Sequence, residues 1–181
     1  DTALPRLNEA LIVELYEKYA PDNIPSGEME ALSFYYGDHE LDAHKYWLNT
    51  LNVVNFFDLP NEPEIVWESN TNSAKKYKLY QIAGTCIGRD KTKKLVGLLT
   101  PEGFVQVKVH NAQFIKFDRQ IKQDGVTEKS WFAKGSKLLI TGYKADENHF
   151  YPKVYKDSLF PQAIYKIGND EELISKRLDE E

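Results

Sequence analysis

Residues 95–109, LVGLLTPEGFVQVKV, predict two neighbouring strands joined by a tight turn. Residues 95–100 form an apolar run, Pro101-Glu-Gly103 supplies turn residues, and residues 104–109 alternate between the two faces of a strand. Since successive strand side chains point to opposite faces, we expect the valines at 105, 107 and 109 in the core. The opposite face carries Phe104, Gln106 and Lys108.

The segments around this hairpin predict three further strands and one helix. In chain order, the strands are predicted at 77–87, 95–100, 104–109, 137–143 and 149–155, and the helix at 111–121. Pro152 places the last strand at an edge or a bulge. Three strands, a helix and then two strands is the order of the five-stranded OB barrel. We therefore predict an α+β protein containing an OB-fold β-barrel.

The flanking segments differ from the barrel in composition. Apolar side chains at helical spacing in residues 1–59 predict a helical segment. Its helices are expected at about 9–20, 28–36 and 41–51, the last capped by Asp42 or starting just before it. The proline-containing and polar residues 60–76 predict a linker. We assign 77–167 to the OB-fold domain and expect 168–181 to form an acidic tail or short helix.

Charge is distributed unevenly along the 181 residues. The net charge of −5 combines −11 for residues 1–74, +10 for residues 75–166 and −4 for residues 167–181. A basic block of domain size attracts polyanions, which favours a nucleic-acid partner. The alternative is a lysine-rich surface neutralised by its acidic neighbour.

The composition also bears on the cellular compartment. No apolar run approaches the length of about 20 residues that a membrane span needs, so we expect no membrane partner. Cys86 is the single cysteine and cannot form an internal disulfide, and we see no signal peptide, so we expect a cytoplasmic protein. The chain begins at Asp1, from which we expect a processed product or an excised piece.

The sequence contains no convincing catalytic motif. His39 and His44 are five residues apart, whereas the zinc-protease helix needs a spacing of four. The glycines match neither a phosphate-binding loop nor a dinucleotide fingerprint, and Cys86 has no companion base, so a small core residue is the simpler interpretation. We therefore expect no catalytic residue, no metal and no cofactor.

Two blocks of the sequence resemble a known family. Residues 28–41, EMEALSFYYGDHEL, look like the segment before the C-terminal OB domain of bacterial C-family replicative polymerases, the DNA polymerase III alpha subunits. A second block is similar to the OB domain of a Gram-positive and phage-associated branch. It comprises 82–85, 90–93, 98–103, 107–108, 113–114 and 134–142. The resemblance covers about residues 7–167. It implies a C-terminal piece that lacks the polymerase carboxylates, and therefore a chain that is not itself an enzyme.

OB barrels bind single strands with strands two and three and with the loops that join strands one to two and four to five. Bases stack on aromatic rings there, and cationic side chains contact phosphates. The candidate nucleic-acid-binding residues are Arg89, Lys91, Lys93 and Lys94 in the first loop, Phe104 and Lys108 on strand three, Tyr143 and Lys144 at the end of strand four, and Tyr151, Lys153, Tyr155 and Lys156 on strand five.

We therefore expect a module that binds the single-stranded DNA template of a replicative polymerase, with other replisome subunits as further partners. One alternative is an RNA-binding OB module, such as a tRNA anticodon-binding attachment. Another is a protein-interaction module whose acidic helices dock a clamp or an exonuclease subunit.

Overall fold

The computed structural model describes residues 37–71, 73–123 and 126–175. Helical elements are the 3-10 helices Glu40–His44 and Phe56–Asp58 and the α-helices α1 (Lys45–Thr50) and α2 (Asn111–Asp118). Strands are β1 (Ile65–Glu68), β2 (Lys75–Tyr77), β3 (Tyr80–Asp90), β4 (Leu95–Thr100), β5 (Gly103–Lys108), β6 (Ile121–Gln123), β7 (Val126–Glu128), β8 (Lys137–Lys144), β9 (His149–Pro152), β10 (Ile164–Ile167) and β11 (Leu173–Ile174). None of the described helices is long and apolar enough to cross a membrane.

Five strands close into a barrel. Their hydrogen-bonded order is β8–β3–β4–β5–β9, and β9 pairs again with β8. The β5–β9 pair is parallel and the other four pairs are antiparallel. The short helix α2 stands in the chain between β5 and β8. The result is an OB-like α+β arrangement, which confirms the predicted order of three strands, a helix and two strands.

Alternating side chains of β4 and β5 fill the barrel. Val96, Leu98, Val105 and Val107 have no exposed surface, so the predicted core face of the hairpin is confirmed. Burial of each such side chain contributes about 1.5–3 kcal/mol to folding. Aromatic side chains from α2 and from the loop between β7 and β8 extend the same core. They are Phe114, Phe117, Trp131 and Phe132.

The last predicted N-terminal helix is present as a 3-10 turn that continues into α1. Its N-cap is His39, not Asp42: the Leu41 amide donates to His39 Nδ1 at 3.0 Å, and Asp42 Oδ2 accepts from the His39 amide at 3.0 Å. Since Nδ1 accepts, Nε2 carries the proton and donates to the Leu99 carbonyl of β4 at 2.9 Å. Burial lowers the pKa of His39, although the bond to Leu99 opposes this shift. The cap thus joins the helical segment to the barrel. The other two predicted helices lie outside the described residues.

The elements around the barrel differ from the prediction in three places. Strands β1 and β2 form an antiparallel ribbon within the segment predicted as a linker. The helix α2 ends at Asp118, and β6 and β7 form a small hairpin after it. Near the C-terminus β10 pairs with β8 and with β11, where only a tail or helix was predicted after residue 167. The proposed division into domains stays a prediction.

Candidate nucleic-acid interface

The loop between β3 and β4 carries three of the candidate residues, Lys91, Lys93 and Lys94, and is held by hydrogen bonds, whereas Arg89 lies at the end of β3 and not in the loop as predicted. Asp90 Oδ1 accepts from the Thr92 and Lys93 amides, both at 2.9 Å, and the bond from Lys93 is the main reason that the pKa of Asp90 is lowered. Lys94 has φ = 56°, in the left-handed region, which lets the chain turn back into β4. The loop is therefore a preformed surface for its lysines.

Asp118, at the end of α2, binds the cationic side chains at the start of this loop. Its Oδ1 lies 2.5 Å from Arg89 Nε and its Oδ2 lies 3.3 Å from Lys91 Nζ. Arg89 also donates to the Phe132 carbonyl at 3.0 Å, so its guanidinium fixes the loop against the barrel. Lys91 keeps 67% of its side chain exposed and can still reach a phosphate.

Three further lysines, Lys93, Lys94 and Lys108, lie near the start of β4 and the end of β5. Lys108 donates from Nζ to the Lys93 carbonyl, and the Lys94 ammonium lies 5.0 Å from the centre of the Phe114 ring. Lys93 is exposed. The structure thus brings together the loop lysines and Lys108, as expected for neighbouring strands.

Phe104 lies on the outer face of β5 and is 48% exposed. Its ring packs against Gly97 of β4, where a Cβ atom would come within 2.9 Å of the ring carbon Cε2. The outer placement of Phe104 agrees with the predicted alternation. Ring atoms Cε2 and Cζ contact the sheet at Gly97, and about half of the side chain stays exposed, which leaves an aromatic surface that a base can stack on.

The rings of Tyr77, Tyr143 and Tyr151 form a row beside the loop between β8 and β9. Tyr143 and Tyr151 are direct cross-strand partners of β8 and β9, stacked with centroids 5.8 Å apart. The Tyr77 ring of β2 lies 4.6 Å from that of Tyr143, and burial raises the pKa of Tyr143. Tyr77 was missed by the sequence analysis. Its position in the run Lys75-Lys76-Tyr77, basic residues followed by an aromatic, is the signal that could have found it.

Tyr155 has a different setting from the other candidate tyrosines. Its hydroxyl accepts from the Tyr77 amide at 2.7 Å, and the ammonium groups of Lys76 and Lys153 lie 5.3 and 5.9 Å from its ring centre. The hydroxyl therefore ties the β1–β2 ribbon to the segment after β9, where the fifth strand was predicted to continue, and the ring already contacts cations. Lys153 and Lys156 are exposed beside it.

Lys144 does not face the solvent as predicted. It is 4% exposed, and Nζ donates to the carbonyls of Phe56 at 3.2 Å and Leu59 at 3.0 Å. The ammonium also lies 4.4 Å from the centre of the Phe56 ring, and burial lowers the pKa of Lys144. Because the barrel uses this side chain to hold residues 56–59, we leave Lys144 out of the candidate interface.

Cys86 has a structural role in the core of the barrel. Cys86 has no exposed surface, its thiol donates to the Phe132 carbonyl, and burial raises its pKa to about 11. A thiol with that pKa is protonated at neutral pH and is a poor nucleophile. Within the residues that the structure describes, no three His, Cys, Asp or Glu side chains are grouped to hold a metal ion.

Comparisons with known proteins point to DNA polymerases. The chain is 36% identical over 174 residues to a protein of Bacillus subtilis (strain 168) named probable DNA polymerase YorL, and equally to a DNA-directed DNA polymerase of Bacillus phage SPbeta. Each match covers 91% of this chain and 13% of the relative. No family model matches the chain. No solved structure matches it either. The chain is therefore related to one segment, about an eighth of the length, of proteins named DNA polymerase.

Proposed function

We propose that this chain is a single-stranded DNA-binding OB module of a replicative DNA polymerase of the C-family alpha-subunit type, in a segment without the polymerase active site. The observation that carries the proposal is the row of tyrosine rings on the outside of an OB-like barrel. The relationship to proteins named DNA polymerase supports DNA as the partner. The DNA template and neighbouring replisome subunits are the partners that follow.

The rings and the lysines would act on different parts of the strand. Phe104 and Tyr151 lie on the paired strands β5 and β9, where the register places Tyr151 level with Lys108 and four residues from Phe104, so the two rings would offer separate stacking positions. Stacking on such rings tolerates every base, because each base has a π-face. Lys91, Lys93 and Lys153 are exposed and would contact phosphates. Such an interface binds single strands with little sequence preference.

The decisive experiment is fluorescence anisotropy with a labelled oligothymidine, measured across a salt series. We expect binding whose affinity falls steeply with salt. Tyr151→Ala removes one stacked base, worth about 1–3 kcal/mol, and should weaken binding about tenfold while leaving the salt slope nearly intact. Tyr46→Ala is the matched control, since Tyr46 is 89% exposed on α1, outside the interface. Absent binding at low salt, or affinity that ignores salt, contradicts the proposal.

An oligouridine of the same length tests the RNA alternative. A site built for RNA uses the 2′-hydroxyl, so oligouridine would bind much more tightly than oligothymidine. The stacking site that we propose should bind both within a few-fold of each other.

A protein-interaction role is favoured by one feature, the exposed apolar side chains of the β1–β2 ribbon. Ile65, Val66 and Trp67 all keep about half or more of their surface exposed. Large exposed apolar groups mark interaction surfaces. Under this alternative, the protein would show no salt-dependent affinity for oligothymidine, and Trp67→Ala would abolish binding of a partner subunit that Tyr151→Ala still binds.

A further inference from the structure

A polar cleft of about 770 Å³ lies at one end of the barrel, away from the tyrosine row. Its walls are the loop between β7 and β8, the start of β8 and the β10–β11 turn. Four lysines line it, namely Lys129, Lys134, Lys137 and Lys166. Its size falls within the range of ordinary ligand sites, but its lining is polar rather than apolar, which favours a charged occupant.

Three of these lysines, Lys129, Lys137 and Lys166, form no ion pair with the acids beside them in the part of the chain that the structure describes. Asp170 and Glu172 also line it, which leaves two net positive charges among the lining side chains. Glu172 packs against Gly168, where a Cβ atom would come within 2.5 Å of its Cγ. Within the described residues, Lys129 and Lys166 form no ion pair. Lys137 Nζ donates only to the neutral side-chain amide of Asn169, whose Oδ1 lies 3.5 Å away. The cleft therefore favours an anion.

Backbone hydrogen bonds connect the cleft to the β3–β4 loop. The Gly135 amide donates to the Cys86 carbonyl at 2.8 Å, and the Cys86 amide donates to the Ser136 carbonyl at 2.8 Å. Three residues further along β3, Arg89 donates to the Phe132 carbonyl, and Lys91 follows in the loop. The cleft and the loop lysines thus lie side by side at the same end of the barrel, so one polyanion can reach both.

We infer that the cleft binds the phosphodiester backbone of the same nucleic-acid strand where it continues past the β3–β4 loop. This inference rests on the proposed function. Phosphate contacts need cations but no aromatic surface, and they position a strand without reading its sequence. The tyrosine row would then hold bases, and the lysine cleft would hold only backbone.

The test uses the 181-residue chain, a labelled oligothymidine of about 30 nucleotides, longer than the roughly 4–16 that one OB fold covers, and a salt series. In Lys129→Gln/Lys166→Gln, the slope of log affinity against log salt should become shallower by about 1.4, since each contact with a single strand contributes about 0.7. The matched control Lys45→Gln/Lys116→Gln makes the same change in net charge outside the cleft and the tyrosine row, on α1 and α2, and should keep the parental slope. An equal loss in both variants would show a net-charge effect and overturn the inference.

A second measurement avoids substitution altogether. Acetylation of the unmodified protein, read by mass spectrometry, should show Lys129 and Lys166 protected by bound oligothymidine and Lys45 unchanged. If the protein binds the oligonucleotide and both cleft lysines react as fast as in the free protein, the cleft assignment is wrong while the proposed function stands. If the parent protein binds no oligonucleotide, the proposed function itself fails.

Discussion

The phenyl ring of Phe104 lies against the backbone of Gly97, on the neighbouring barrel strand. A Cβ atom at Gly97 would approach ring carbon Cε2 to 2.9 Å and Ile87 Cγ1 to 3.2 Å, so glycine is what lets the ring rest on the sheet. A phenyl ring held in this way loses little further freedom when a base stacks on it. This relationship is the basis of the first prediction.

Phe104→Ala should weaken oligothymidine binding by about tenfold, because one stacked base is worth about 1–3 kcal/mol. The salt slope should stay nearly unchanged, since no cation is removed. Ile115→Ala is the matched control: Ile115 is similarly exposed, on α2, and its removal should not alter affinity. Equal affinities for Phe104→Ala and the parent in the anisotropy assay would remove Phe104 from the interface.

Lys91→Glu/Lys93→Glu should weaken binding at low salt by about tenfold or more and reduce the salt dependence. Lys94 is left in place, because its φ of 56° and its contact with Phe114 make it part of the loop's structure. The control Lys45→Glu/Lys116→Glu carries the same change in net charge outside the loop and the tyrosine row. An unaltered melting temperature with parental affinity would mean that the loop lysines are only solvated.

Lys144→Ala should destabilise the fold by about 2–4 kcal/mol. It leaves the Phe56 and Leu59 carbonyls without their donor and empties the space beside the Phe56 ring. The exposed Lys153→Ala, by comparison, should change stability by no more than about 0.5 kcal/mol. Urea denaturation measures both values. A Lys144→Ala protein as stable as Lys153→Ala would refute the structural role that we assign to this ammonium.

Acidification should weaken the junction between the helical segment and the barrel through His39. Burial lowers the pKa of His39 in the folded protein below its ordinary value, about 6.5, so the unfolded chain binds the proton more readily. This contribution is complete above pH 6.5 and is lost as the pH falls through 6.5 towards the folded pKa.

His39→Asn isolates this effect, because asparagine can cap the helix but does not titrate. Urea denaturation at pH 7 and about pH 5.5 should show a smaller loss of stability on acidification for His39→Asn than for the parent. If the two proteins lose equal stability, His39 is not the titrating group and the change belongs to other side chains.

The barrel strands could be predicted because their side chains alternate. Residues 95–100 were predicted as a strand and β4 has those bounds, since alternation with turn residues at both ends determines a hairpin locally. Strand β10 could not be predicted in this way. Its four residues Ile164–Ile167 become a strand by pairing with the edge of β8, a contact between segments more than 20 residues apart.

The candidate site could be predicted where it depends on alternation and not where it depends on distant contacts. The exposure of Phe104 follows from the pattern of β5 alone. The burial of Lys144 depends on carbonyl acceptors 85 and 88 residues away in the sequence, and the Tyr77–Tyr143 contact depends on a ribbon within an apparent linker. Sequence periodicity carries no information on either contact.

The burial of the Phe56 side chain in the barrel core determines where this protein can be shortened or joined to another protein. A polypeptide that starts at Tyr80 would keep all five barrel strands but would lose a fully buried aromatic side chain and both acceptors of a buried ammonium. We therefore expect a stable shortened protein to begin upstream of residue 56. Pro60, Asn61 and Glu62 are exposed, which makes them the better place to insert a tag or a flexible spacer.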